Sequence, residues 1–206
     1  MSKDATTPDI LHFAHQIGLP FQDMSLLEQA LTHRSYVNEH KKAQPLLQHN
    51  ERLEFLGDAV IDFIAGDWLF GQFPEMREGK LTRIRSALVR TEMLASFARA
   101  CGVQEIMRLG RGEEANGGRD KNSTLCNTFE AIMGALYMDQ GMQAVYEFIE
   151  VLFEPALDEV LQRVSTKDAK SRLQEWSQAQ PGKLTPRYHL IAALGPDHRK
   201  LFLMEV

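Results

Sequence analysis

The spacing of apolar residues between positions 9 and 162 is the feature that most limits how this chain can fold. Apolar residues recur there every three or four positions, as in "KLTRIRSALVRTEMLASFARACG" and "MQAVYEFIEVLFEPALDEVLQRV". An α-helix gathers such residues on one face, whereas a half-buried strand needs strict alternation, which this part of the sequence does not show. The sequence therefore predicts an all-α domain over residues 1–164, in which helix follows helix.

The pattern changes after residue 164. "AKSRLQEWSQAQ" is typical of a short basic amphipathic helix, and "PRYHLIAALG" and "KLFLMEV" are typical of two strands joined by the turn "PDHR". One helix and two strands bury too little apolar surface for an independent domain. We therefore expect a partial α+β unit over residues 165–206, which is either incomplete in itself or cut short at Val206.

A Gly-rich stretch, "LGRGEEANGGRDKN", separates two of the predicted helices. It lacks the GxxxxGK[ST] pattern that cradles nucleotide phosphates, so a phosphate-binding role is not predicted. We expect this stretch to be a flexible connection between helices.

The net charge of −5 is unevenly distributed along the chain. The segment from Lys167 to Val206 contains seven Lys or Arg and four Asp or Glu, a balance of +3, which leaves −8 for the first 166 residues. An acidic body argues against binding to nucleic acid, whereas a basic tail suits a phosphate backbone. A solvated surface with a random fluctuation of charge is the alternative explanation for a difference of this size.

Three observations bear on cellular location. No apolar run approaches the roughly 18 residues of a membrane span, and the start "MSKDATTPDI" lacks the apolar core of a secretion signal. Cys101 and Cys126 have neither CxxC nor zinc-type spacing, so each is expected to be a small core residue in a reducing compartment. We expect no membrane association and a cytoplasmic location.

The segment "NERLEFLGDAVIDFI", residues 50–64, carries four acids at helical spacing: Glu51, Glu54, Asp58 and Asp62. They fall on one narrow stripe of a helix, where like charges repel by roughly a few tenths of a kcal/mol per pair. No Lys or Arg lies four residues away, so we expect the stripe to be unpaired. Two interpretations stay open: a solvated helix face, or a cleft in which Glu54 and Asp58 reach one Mg²⁺ ion.

A second helix carries a related polar pair. Within "STLCNTFEAIMGALYMD", Asn127 and Glu130 lie at i and i+3, and Gly134 on the same face leaves room for the close approach of another helix. Packing this face against the acid stripe would bring three carboxylates and one amide around a common point, which suits Mg²⁺ activation of a water against a phosphodiester. The alternative is a capped or buried Asn beside a solvent-facing Glu.

These stretches resemble the ribonuclease III family. "NERLEFLGDAV" is similar to the family's signature motif and "STLCNTFEAIMGALYMDQG" to its second acidic motif, in the same order and separation. "ALTHRSYVNE", "GKLTRIRSALV" and "GGRDKNS" also fit the family. Residues 168–206 resemble the first two-thirds of the double-stranded-RNA-binding domain that follows the nuclease domain in bacterial members.

The resemblance implies an all-α nuclease domain that forms a homodimer and cleaves double-stranded RNA with Mg²⁺, for which Mn²⁺ can substitute. Ribosomal and messenger RNA precursors would be its substrates. The products would carry 5′-phosphates and short 3′ overhangs, because two active sites would face opposite strands across one dimer cleft.

The family motifs also imply roles for individual residues. The implied metal ligands are Glu54, Asp58, Asn127 and Glu130. Asp58 and Glu130 would be the catalytic residues, whose loss most directly stops the chemistry. Glu51 and Glu78 match acids that line the cleft in the family. Phe55 matches an aromatic residue that is inserted into the partner subunit, with an ordinary core Phe as the alternative.

The chain departs from the family at two places. Where the family has Asp, this chain has Asn127, whose amide oxygen can still contact a cation but brings no negative charge. We expect reduced or metal-demanding cleavage, and a non-cleaving double-stranded-RNA-binding protein on the same fold is the alternative. In the second unit Gln174, Glu175 and His198 match minor-groove contacts, which sense the 2′-hydroxyl and the A-form shape. The third strand and the Lys-rich helix of the family's domain do not follow Val206.

Overall fold

The computed structural model divides the chain into two compact units, residues 1–160 and residues 161–206. The predicted boundary between residues 164 and 165 falls on the same long helix as this division. The residues that the structure describes are 10–167, 169–180, 185–195 and 200–206, without the side chains of 165–167, 169–172, 175 and 201.

Helices make up the first unit, as the apolar spacing predicts. They are α1 (Ile10–Gln16), α2 (Met24–Ala30), α3 (Arg34–His40), α4 (Glu51–Gln72), α5 (Glu78–Leu88), α6 (Thr91–Ala100), α7 (Val103–Ile106), α8 (Arg111–Ala115), a 3-10 turn (Gly118–Asp120), α9 (Asn122–Gln140) and α10 (Met142–Lys167), which continues into the second unit. The prediction of an all-α domain is confirmed. No helix in the described ranges is long and apolar enough to cross a membrane.

Helix α9 lies at the centre of this unit and packs against α2, α4 and α6. Its buried residues run almost without interruption from Thr124 to Leu136, which is expected of a helix covered on several sides. Phe129 of α9 meets Phe97 of α6, and Phe97 also meets Phe153 of α10. The polar side chains of α9 are therefore held on a helix that the surrounding core fixes in place.

The crossing of α4 and α9 depends on two glycines. A Cβ atom added at Gly57 would lie 1.8 Å from the backbone oxygen of Glu130, and one added at Gly134 would lie 2.2 Å from the backbone oxygen of Leu53. Neither distance is compatible with a side chain, so the two helix backbones touch here. The expectation that Gly134 permits close approach of another helix is confirmed.

The prediction of a flexible Gly-rich connection is wrong. The stretch forms α8 and the 3-10 turn, and the Arg119 guanidinium donates to the carbonyl oxygens of Gln104 and Met107. Gly110 leaves no room for a Cβ, which would lie 2.7 Å from the backbone oxygen of Ser35. Gly117 has a φ of 71°, in the left-handed region that favours glycine. The glycines here allow close packing and a turn, not flexibility.

The second unit contains the predicted helix and two strands. They are α11 (Ala169–Ala179), β1 (His189–Leu194) and β2 (Leu201–Glu205). The strands pair antiparallel, with His189 opposite Glu205, Leu194 opposite Leu201, and an irregularity between Leu190 and Ala192. The prediction of a partial α+β unit is confirmed.

Candidate active site

An open cleft of about 480 Å³ lies where α4 crosses α9. Six residues line it: Glu51, Glu54, Phe55, Asp58, Asn127 and Glu130. All six were singled out from the sequence, although α4 and α9 are separated by five intervening helices and turns. The touching backbones at Gly57 and Gly134 bring the two polar faces together.

Two carboxyl groups of this cleft, Glu54 and Glu130, have raised pKa values. Burial raises the pKa of Glu54, and the neighbouring charges of Glu51 and Asp58 raise it further. Glu130 is only 8% exposed. Burial raises its pKa to about 7, as do the charges of Asp58 and Glu54, while a hydrogen bond from Cys126 opposes the shift. The cleft therefore disfavours negative charge unless a cation or a proton balances it.

The acid stripe is unpaired only in its middle. At one end Glu51 forms an ion pair with Arg34 at 3.2 Å and lies 3.7 Å from the His49 imidazole, and at the other end Asp62 lies 3.4 Å from Arg85. The expectation of a wholly unpaired stripe is wrong, because Arg34 and Arg85 come from α3 and α5 and not from a neighbouring turn of α4.

Glu54 and Asp58 differ from the ends of the stripe. Within the described part of the chain, neither carboxylate has a cationic partner or a hydrogen-bond donor. Glu54 is half-buried and Asp58 is exposed to the cleft. Their side chains are consequently free to turn toward a ligand that enters the cleft.

The donor atoms of the cleft suit a hard divalent cation, because Glu54, Asp58 and Glu130 offer carboxylate oxygen and Asn127 offers an amide oxygen. They do not form a closed ligand set. Among the residues with described side chains, no three His, Cys, Asp or Glu lie close enough together to hold a metal ion. The predicted residues thus line one cleft without converging on one point, and binding a cation would require their side chains to rotate.

One contact of Glu130 was not predicted from the sequence. The thiol of Cys126 lies one helical turn earlier on α9 and donates to Oε1 of Glu130 at 3.3 Å. The i, i+4 spacing of the two residues was visible in the sequence. Cysteine is most often a small buried residue, however, and that role alone was predicted for Cys126.

Phe55 does not belong to the core of a single chain, since 81% of its surface is exposed. It lies at the rim of both the cleft and a neighbouring recess of about 560 Å³. Apolar side chains lining that recess include Leu26, Leu53, Leu56 and Met138. Phe55 is therefore not an ordinary core residue. Its aromatic ring is exposed on the surface of the chain.

The remaining predicted residues lie elsewhere. Glu78 begins α5, where its Oε1 accepts a hydrogen bond from the Thr82 hydroxyl at 2.8 Å, and it does not line the cleft. Gln174 is half-buried on α11. The side chain of Glu175 and the whole of His198 lie outside the described residues.

Known proteins are similar to this chain in sequence over most of its length. Residues 23–156 match the profile of the family described as Ribonuclease-III-like. Ribonuclease 3 of Roseiflexus sp. strain RS-1 is 48% identical over 191 residues, which cover 93% of this chain and 80% of that protein. Ribonuclease 3 of Enterococcus faecalis is 48% identical over 189 residues, which cover 92% and 80%.

Solved structures share the fold. The nuclease domain of ribonuclease III from Campylobacter jejuni matches with a TM-score of 0.64 and 36% identity, over 71% of this chain and 97% of that chain. That domain is described as flexible in a region involved in dimer formation. Dicer from Pichia stipitis matches with a TM-score of 0.52 and 26% identity, over 91% of this chain and 82% of that chain.

Proposed function

Because the chain belongs to the ribonuclease III family and is an endoribonuclease of that type, we propose that it cuts double-stranded RNA in the cleft between α4 and α9 with the help of Mg²⁺. One observation carries this proposal. Two glycines bring the acids of α4 against Asn127 and Glu130 of α9, so that oxygen donors from two helices line one cleft.

Each residue of the cleft has a proposed part. Glu54, Asp58 and Glu130 would hold the cation, and Asn127 would contact it through the amide oxygen. A cation held by these residues would supply Lewis acidity toward a phosphate oxygen and would lower the pKa of a coordinated water. The pKa of Glu130, near 7 without a cation, means that this residue would release its proton as it takes up the ligand role. Mn²⁺ would substitute for Mg²⁺, because it prefers the same oxygen donors.

The proposed working unit is a homodimer. The exposed ring of Phe55 lies next to a recess on its own chain that apolar and polar side chains line together, so a second copy would offer an identical recess to each ring. Two sites facing opposite strands would leave 5′-phosphates and short 3′ overhangs. Sedimentation of Phe55→Ala should show a shift toward monomer, whereas Phe63→Ala, which removes a ring that is 60% exposed on the same helix, should stay dimeric.

Structured ribosomal and messenger RNA precursors are the proposed substrates, and the cytoplasm is the proposed location. In the second unit Gln174, Glu175 and His198 would contact the minor groove of A-form RNA. The balance of +3 over residues 167–206 supports a role for this segment at the phosphate backbone.

The test of the proposal is cleavage of a long RNA duplex in Mg²⁺, in Mn²⁺ and in EDTA. We expect cutting with either metal, none in EDTA, and none by a Glu130→Gln variant whose circular dichroism and sedimentation match those of the unchanged chain. Unchanged turnover by Glu130→Gln would contradict the assignment of the site.

A second candidate function rests on Asn127, which leaves the cleft one charge short of the family pattern. This candidate is a double-stranded-RNA-binding protein that does not cut. It predicts mobility shifts of the duplex in EDTA, together with no products in Mg²⁺ or Mn²⁺ and a gain of cleavage in Asn127→Asp. Cutting by the unchanged chain would dismiss it.

A further inference from the structure

The thiol of Cys126 makes the one side-chain hydrogen bond that Glu130 receives in the described part of the chain. The donor and acceptor atoms are 3.3 Å apart, and both residues are buried, with 4% and 8% of their surfaces exposed. Buried carboxylates need such donors, because an acceptor that has lost its water and gained no partner is unfavourable.

We propose that Cys126 is a positioning residue, whose S–H group holds Oε1 of Glu130 so that the carboxylate lines the cleft with Oε2 left for a divalent cation. This inference rests on the proposed function, since it concerns how Glu130 is presented to the metal. It assigns Cys126 no contact with RNA or with the cation.

The chemistry of the pair supports the direction of this hydrogen bond. Burial raises the pKa of the Cys126 thiol well above its usual range, and the charge of Glu130 raises it further. The S–H group therefore acts as the donor, and Oε1 of Glu130 is the acceptor.

The helix backbone fixes the geometry. Positions i and i+4 lie one above the other on one face of α9, and this helix is buried on several sides. A carboxylate held at one oxygen has fewer orientations to lose when a ligand binds to the other. Removal of hydrogen bonds to metal-binding side chains typically weakens metal affinity about 10–100-fold, and for a weak thiol donor we expect the lower end.

The test is a titration with Mn²⁺ in the absence of RNA, followed by electron paramagnetic resonance of the free ion, for the full chain and three variants. Cys126→Ala removes the donor and should weaken Mn²⁺ binding about tenfold. Cys126→Ser keeps a donor at the same position and should stay within about threefold of the unchanged chain. Cys101→Ala removes the other thiol, which is half-buried on the C-terminal end of α6, and should bind as the unchanged chain does.

Several results would overturn the inference. Equal Mn²⁺ affinity in Cys126→Ala and the unchanged chain would show that the thiol only fills space, whatever happens to the melting temperature. Equal loss in Cys126→Ser and Cys126→Ala would show that shape matters and the donor does not. If the unchanged chain did not bind Mn²⁺, there would be no cation for which Cys126 could position Glu130.

Cleavage of an RNA duplex by the same four proteins separates this inference from the proposed function. If the unchanged chain binds Mn²⁺ and does not cut, the proposed function fails, and the comparison of Mn²⁺ affinities still decides the role of Cys126. If the unchanged chain cuts, the Mg²⁺ concentration that gives the half-maximal rate should be higher for Cys126→Ala. For Cys126→Ser it should be close to that of the unchanged chain.

Discussion

The middle and the ends of the acid stripe on α4 have the same residue types at the same spacing and different surroundings. Glu51 and Asp62, at the ends, are paired with Arg34 and Arg85. Glu54 and Asp58, in the middle, face Asn127 and Glu130 of α9 across the cleft. The difference teaches that a charge pattern on one helix does not determine its role. That role depends on whether the helix packed against it brings cations or further acids.

The largest effect on cleavage is expected when an acid in the middle of the stripe is neutralised, and an acid at the end of the stripe provides the control. Asp58→Asn removes a charge from the middle and should lower duplex cleavage roughly a thousandfold, because several kcal/mol of metal-dependent stabilisation would be lost. Asp62→Asn removes a charge that is already paired at the partly exposed end, and cleavage should stay within about threefold. Single-turnover rates at saturating Mg²⁺ measure both.

Comparable losses in Asp58→Asn and Asp62→Asn would mean that the whole stripe acts as one charged surface, and the distinction between its middle and its ends would fail. Circular dichroism of each variant provides the control for folding.

The next effect concerns the glycines that bring the middle of the stripe against α9. Gly57→Ala would place a Cβ 1.8 Å from a backbone oxygen and should lower the free energy of unfolding by about 3 kcal/mol or more. Gly71→Ala, on the same helix, meets no atom within 4 Å and should raise it by about 0.5 kcal/mol. Urea denaturation, followed by the helical signal in circular dichroism, measures the free energy of unfolding of both variants. A mild effect of Gly57→Ala would show that the helices do not touch.

A smaller effect should appear in the pH dependence of stability without metal. The pKa of Glu130 is 4.5 in an unfolded chain and about 7 in the fold, so the folded state binds more protons between these values. Stability from this group is therefore present below pH 4.5 and is lost as pH rises through 7. At about 1.4 kcal/mol per pH unit, the shift from 4.5 to about 7 makes this loss about 3.5 kcal/mol relative to Glu130→Gln.

Urea denaturation in EDTA at pH 5 and pH 8, with the unchanged chain and Glu130→Gln in parallel, measures this loss. A difference between the two proteins that does not change with pH would contradict the raised pKa of Glu130 in the folded state.

The smallest effect should follow from restoring the charge that the family has in the cleft. Asn127→Asp should tighten Mg²⁺ binding about tenfold, because one more carboxylate contributes about 1.4 kcal/mol at close range in a partly solvated site. Calorimetric titration measures the affinity. An unchanged affinity would place Asn127 outside the reach of the cation.

The middle and the ends of the stripe also differ in how well they could be predicted from the sequence. Helical periodicity located α4 and α9, and the position of Gly134 indicated the side on which another helix approaches, because both are local properties of one element. The partners of Glu51 and Asp62 were missed because Arg34 and Arg85 belong to other helices, and a spacing rule within α4 does not reach them.

One further error and one missed contact have physical causes. The Gly-rich stretch was expected to be flexible because glycine widens the choice of backbone conformations, yet Gly110 and Gly117 are there for close packing and for a positive φ. Cys126 was predicted by residue type to be a core residue, and it is buried. Its hydrogen bond to Glu130 depends on the orientation of a side chain, which no sequence pattern specifies.

The most direct test of the central claim is to locate a bound cation. Anomalous diffraction from crystals of the chain soaked in Mn²⁺ should show a peak in the cleft between α4 and α9, within coordination distance of Glu54, Asp58 and Glu130, with their side chains rotated toward it. A peak beside Glu51 or Asp62 alone, or no peak in the cleft at saturating Mn²⁺, would contradict the account.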